Sequence, residues 1–211
     1  MTSPAVSYDE APYYPDEVQV PEARAHRSMA VLLKAAIGRA LGPSSYVDGN
    51  LNWYPSDGGE AVAPDAMVLP ADLIPANATS YLQRATGGPT PVAVVEIPSK
   101  SDDFPTFLTK LHRLQRLGTV VYVVNVPSGE PEVFRLGLTD EAMRPWLGQS
   151  CIELGGIIFQ VRDHKIVIWM PDGIVAADIE ELHGALAARA EEATQRAHRA
   201  EAELATLQQR L

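Results

Sequence analysis

The chain has 211 residues, 46% of them hydrophobic, enough for one well-buried domain with an appendage but short for two full domains. Its formal charge is −10, from 17 Lys+Arg against 27 Asp+Glu, so its surface repels polyanions except where bases cluster locally. One cysteine, Cys151, excludes an internal disulfide framework and a thiolate zinc cluster; with no cationic-apolar leader and no bilayer-length apolar run, the expectation is a soluble cytoplasmic protein without a membrane anchor.

Residues 1–20 are rich in Pro, Asp, Glu and Tyr without periodicity and read as an extended arm. A helix is expected from Pro21, which suits a first turn. Glu22 complements the helix dipole, and Met29, Leu33, Ile37 and Ala40 recur at helical spacing until Gly42-Pro43 ends the run. Three short strands, 45–48, 51–54 and 66–69, are expected to form a bent antiparallel ribbon, separated by Asp48-Gly49-Asn50 and a turn-rich 55–59. The run 92–97 is almost continuously apolar, as a central strand covered on both faces should be; its one charged residue is Glu96. A helix over 104–117 and a β-branched run over 120–126 then give strand, helix, strand, which implies a crossover onto the same sheet. Strands at 132–136, 156–162 and 165–170 complete a mixed sheet flanked by helices, the last two forming a hairpin around Asp163-His164.

After Pro171-Asp172-Gly173 the composition turns to Ala, Glu, Arg, Leu and Gln, with no Gly or Pro beyond Gly184, so residues 175–211 are expected to form one long helix. From Leu186, the positions Ala190, Ala193, Ala197, Ala200, Leu204, Leu207 and Leu211 step alternately by four and three, the spacing of a coiled-coil seam. Upstream, Ile179, Leu182, Leu186 and Ala190 step by three, four and four, a stutter that relaxes the supercoil. Homo-oligomerisation through 176–211 is therefore expected; packing of the helix on its own domain is the alternative.

Metal-dependent phosphodiester hydrolysis needs carboxylates for a hard cation and a group that activates water or stabilises the phosphorane. Asp65 follows Pro64 at the start of one strand and Glu96 ends another; if those strands are neighbours, both carboxylates emerge on the same edge. Each also has a plainer reading, as a strand-entry turn and as a strand end surfacing to solvent. Lys110 lies on the 104–117 helix beside the sector of Phe107, Leu111, Leu114 and Leu117, where it serves either as an active-site amine or as a snorkelling side chain. Lys100, in the polar turn PSKSDD, is the other lysine in reach. His26 falls on the first helix's apolar stripe and reads as a satisfied core histidine, with assistance to a metal site as the alternative. His112, Arg113 and Arg116 face away from the second helix's apolar sector, as phosphate contacts or as a solvated face. No P-loop, GxGxxG, GxSxG or HExxH pattern occurs.

The ordered stretches PEARAH, LNWYP, APDAMVLP and SYLQRATGGPTPVAVVEIPSKSDDFPTFLTKLHRLQRLG, with the closing hairpin, resemble the Uma-two family of candidate restriction endonucleases in the PD-(D/E)XK superfamily. The resemblance spans about residues 21–170. It implies a restriction-endonuclease-like α/β domain over 21–174 and a site built from Pro64-Asp65, Glu96 with Ser99, and Lys110. It further implies Mg²⁺ or Mn²⁺ on Asp65 and Glu96, and a nucleic acid, DNA first, as substrate. Pro98 stands where the wider superfamily's usual lysine does, two residues after Glu96, and the chain departs from the family pattern at Val121 and Val126, which replace acidic residues, and at Leu114, which replaces a tyrosine. These departures and the acidic balance sustain a second expectation, a nuclease fold acting as an assembly scaffold through its C-terminal helix.

Overall fold

The computed structural model describes residues 24–49, 51–73, 78–99, 103–125 and 130–208; the expected N-terminal arm, Lys100 and Val126 lie outside them. The first helix, α1 (Arg24–Leu41), buries Met29, Leu32, Leu33, Ala36 and Ile37 along one stripe. It covers one face of a six-stranded sheet. The strands of that sheet, in spatial order, are β1 (Ser45–Asp48), β3 (Ala66–Pro70), β5 (Ala93–Glu96), β6 (Val120–Asn125), β7 (Glu132–Leu136) and β8 (Arg144–Pro145). β5 and β6 run parallel and are joined by the crossover helix α3 (Phe104–Arg116), as expected; the other neighbours are antiparallel.

Strand periodicity sorts the side chains between two cores. Ala66, Val68, Ala93, Val95, Val120, Tyr122 and Val124 face α1, whereas Met67, Leu69, Val94, Val121 and Val123 face Leu111 and Leu114 of α3. All four residues of β5 are buried, because helices lie on both faces of the sheet. The start of α3 is fixed by Asp103, whose carboxylate accepts from the Thr106 amide at 3.2 Å, with Pro105 in the first turn.

The expected three-strand ribbon is only partly formed. β1 and β3 pair, but β2 (Asn52–Trp53) leaves them and pairs parallel with β4 (Ser80–Tyr81), ahead of the short helix α2 (Gln83–Thr86). Trp53 draws β2 away: its ring is fully buried on the α3 side, and its indole N–H donates to Gln83 Oε1 at 2.8 Å.

The closing hairpin, β10 (Ile157–Arg162) and β11 (Lys165–Trp169), does not extend the main sheet. With β9 (Ser150–Cys151) and β12 (Val175–Ala176) it forms a separate four-stranded sheet. This sheet packs Ile157, Phe159, Ile166 and Ile168 against the α1-side core. Asp163 and His164 both have positive φ, 51° and 57°, as the two-residue turn requires. Because Val175 and Ala176 are strand, the last helix, α4, begins at Ile179 and runs to Gln208. Its start is capped by side chains: Asp178 accepts from the Glu181 amide at 2.8 Å, and Glu181 reaches back to accept from the Ala177 amide at 2.9 Å. Among the described residues no helix is long and apolar enough to cross a membrane.

A charged clamp joins the two sheets. Arg135 stacks 4.9 Å from the Trp146 ring centre and donates to Glu153 Oε1 at 2.8 Å, while the Tyr122 hydroxyl donates to Glu153 Oε2 at 2.7 Å. Burial pushes the Glu153 carboxyl up, but the hydrogen bonds from Tyr122 and Arg135 outweigh it and hold the group below its ordinary value. A depressed carboxylate adds stability that is fully present above the unfolded pKa and is lost as pH falls through the folded one. The stability gap between the native chain and Glu153→Gln is therefore expected to shrink as pH falls below about 4.5, read as melting temperature against pH. A gap that stays constant into acid would remove the clamp's charge from the account.

Candidate active site

β3 and β5 are antiparallel neighbours with Ala66 opposite Val95. One step beyond that couple, Asp65 and Glu96 come level at the same end of the sheet. Asp65 is fixed by two partners: the Ile97 amide donates to Oδ2 at 2.7 Å, and His26 Nε2 lies 3.3 Å from Oδ1. His26 arrives from the first turn of α1 and is buried, so Asp65 is held from the α1 layer as well as from its neighbouring strand. Glu96 is only 3% exposed, and Lys110 Nζ lies 2.7 Å from its Oε2 and 3.4 Å from the Ala63 carbonyl. Lys110 comes from α3, on the opposite face of the sheet from α1. Its position beside Leu111 lets the aliphatic stem run along the helix and bring the amine to the strand end.

The structure thus gathers Asp65, Glu96, Lys110 and His26 where both helical layers meet the end of the sheet. It does not bring Arg113 to them as a phosphate contact. Arg113 pairs with Asp57 at 3.3 Å and donates to the Glu60 carbonyl at 2.7 Å, pinning the loop that leads to Asp65. The guanidinium holds the Asp57 carboxyl below its ordinary value. Arg84 adds a bond to the Gly58 carbonyl at 3.2 Å in the same loop.

Three parts of this arrangement escape sequence reasoning. The Ile97 amide and the Ala63 carbonyl are backbone groups, with no signature in residue type. Gly49 reads in sequence only as a turn residue, yet a Cβ there would collide with the Asp65 backbone carbonyl, so the end of β1 closes on Asp65 only because that side chain is absent. Two of the departures noted in the sequence, Leu114 and Val121, are fully buried in the α3-side core, where each packs against apolar neighbours.

Among the described residues no group of three or more His, Cys, Asp or Glu side chains is gathered closely enough to hold a metal ion. A cation here would rest on two carboxylates, backbone oxygen and water. Such hard-oxygen donors are the kind that Mg²⁺ or Mn²⁺ takes, each retaining several waters.

No family model and no curated protein matches the chain. Among solved structures it is similar to a candidate nuclease belonging to DUF820 from Anabaena variabilis ATCC 29413, at 17% identity and TM-score 0.47, covering 59% of this chain and 68% of that one. The functional reading therefore rests on the geometry of the strand-end cluster.

Proposed function

We propose that this chain is a metal-dependent nuclease of the PD-(D/E)XK class, related to the Uma-two family, which hydrolyses nucleic-acid phosphodiester bonds in the cytoplasm, with DNA as the substrate. The observation that carries the reading is the meeting of two strand-end carboxylates with a lysine that crosses 14 residues of sequence to pair with one of them. Asp65 and Glu96, with a strand-end carbonyl, would hold Mg²⁺ or Mn²⁺. When bound, that ion supplies Lewis acidity at the phosphate and an acidified water. Lys110 sets its amine beside Glu96, where it orients water and offsets phosphate charge. His26 and the Ile97 amide fix the Asp65 rotamer, which fixes where its remaining lone pairs point.

The test is incubation of the purified chain with supercoiled plasmid, single-stranded DNA and RNA in Mg²⁺ and in Mn²⁺. Cleavage that is lost in Asp65→Ala supports the reading. Absence of both cleavage and divalent-metal binding overturns it.

His26 gives a separate expectation. His26→Ala is expected to weaken Mn²⁺ binding about 10- to 100-fold, the usual effect of removing a group that orients a ligand. His26→Gln, which returns an N–H near the Nε2 position, is expected to recover much of the loss. Calorimetric titration with Mn²⁺, beside melting curves, separates orientation from general damage; equal losses in both variants would assign His26 to the core alone.

A second reading is favoured by the exposed outer half of α4: a nuclease fold serving as a scaffold, with copies associating through 176–211. A chain that self-associates but neither binds metal nor cleaves would decide for it.

A further inference from the structure

The two ends of α4 differ sharply in environment. Leu182 is buried, Ile179, Ala185 and Leu186 pack against the α1-side core, and Arg189 reaches Asp172 at 3.1 Å. From Ala190 onward every described residue is exposed, with Leu204 and Leu207 each 59% exposed. About 28 Å of helix, at about 1.5 Å per residue, thus extends past the last residue that touches the body. A helix of this length holds little stability of its own in water. Its apolar positions keep a heptad spacing along that stretch, so the seam lies along one side.

We propose that this outer half of α4 pairs antiparallel with the same segment of a second copy. The inference rests on the self-association reading above and is independent of catalysis. Two observations select a second copy in this orientation. The first is size. The seam is small at its inner end and large at its outer end, so parallel pairing would set Ala on Ala and then Leu on Leu. The helix separation would have to widen along the pair, from close to 8 Å towards about 10 Å. Antiparallel pairing places Ala190 on the partner's Leu207, Ala193 on the partner's Leu204, and Ala197 on the partner's Ala200. The two-fold axis repeats each contact, so large side chains meet small ones on both sides of a close centre. The second is charge. In this register Arg196 flanks the seam opposite the partner's Glu203, twice by symmetry, which selects a partner with this same sequence of charges. Arg189, at the inner end of the seam, is already paired with Asp172 of its own chain at 3.1 Å. Parallel pairing would also offer an attractive couple, Arg196 with the partner's Glu201, likewise repeated by symmetry, so charge selects the partner and side-chain size selects the direction.

The experiment uses the full chain. Sedimentation velocity at micromolar concentration is expected to show a dimer that the pair Leu204→Glu with Leu207→Glu converts to monomer; both side chains are exposed, so the body keeps its melting temperature. Oxidation of the double variant Ala193→Cys with Leu204→Cys is expected to give a covalent dimer, while Ala193→Cys alone gives none. In the antiparallel register the two copies of residue 193 are about 16 Å apart along the axis, beyond disulfide reach. Cys151 does not interfere, since it is buried and its thiol is pushed up to about 12. A native chain that sediments as a monomer overturns self-association itself. A dimer in which Ala193→Cys alone crosslinks keeps self-association and overturns the antiparallel pairing.

Discussion

Glu96→Gln is expected to reduce metal-dependent cleavage by about 10²–10³-fold, comparable to losing one well-placed charge-stabilising group in an active site, with little change in stability. The substitution keeps the shape of a side chain that is 3% exposed and removes its charge. A hard cation binds a carboxylate far better than an amide, so divalent-metal affinity should fall with activity. Two opposing effects keep the fold intact. Lys110 loses a charged partner at 2.7 Å, but its side chain is 31% exposed, and water takes up much of that loss. Asp65, level with Glu96 across the strand pair, loses a like-charged neighbour. Cleavage and Mn²⁺ titration on native and variant protein, with melting curves as the control for folding, read this out. Cleavage that survives in Glu96→Gln would remove Glu96 from the site and leave Lys110 with a structural ion pair.

The fold was legible where burial and periodicity coincide. β5 and β6 are read almost to the residue because burial on both faces fixes their apolar composition, and α3 because its apolar sector and its terminal signals agree. Pairing was less legible. The hairpin β10–β11 has a buried face and a solvated face, which shows that it is a strand pair but not which sheet it joins; that depends on contacts of Ile157 and Phe159 with α1-side residues far away in sequence. The parallel pair Asn52–Trp53 with Ser80–Tyr81 has only two residues in each strand, too few to display a period. Val175–Ala176 reads as helix by its composition, although the Asp178 and Glu181 carboxylates, which take up backbone amides there, mark the true start of α4.

The candidate site follows the same division. Asp65, Glu96 and Lys110 stand out because each is a charged residue at the margin of an apolar run, and the antiparallel pairing of β3 with β5 brings the first two level. His26 was readable only as a polar residue on an apolar stripe. Its contact with Asp65 depends on how α1 lies across the sheet, which is set by packing at both ends of the helix. At the far end that packing includes the close approach of Gly155 to Ala40.

Gly155→Ala is accordingly expected to destabilise the chain by about 3 kcal/mol, from about 1–2 kcal/mol of left-handed backbone strain and about 1–3 kcal/mol of overpacking. Gly155 has φ +78°, and a Cβ built on it would lie 2.8 Å from Ala40 Cβ and 2.9 Å from the Ala40 carbonyl carbon, well inside ordinary contact. Neither neighbour is a flexible chain end, so relief requires the end of α1 to move away from the second sheet. At this chain length the change corresponds to a melting temperature lower by about 6–12 °C. Gly42→Ala supplies the control: Gly42 also has a positive φ, +73°, but open space where a Cβ would stand, so it incurs the backbone strain alone. The excess cost of Gly155→Ala over Gly42→Ala measures the contact between α1 and the turn. Because α1 carries His26 at its other end, the same displacement should loosen the hold on Asp65, so metal affinity should fall in Gly155→Ala and hold in Gly42→Ala. Equal costs in the two variants would show that this contact does not set where α1 lies.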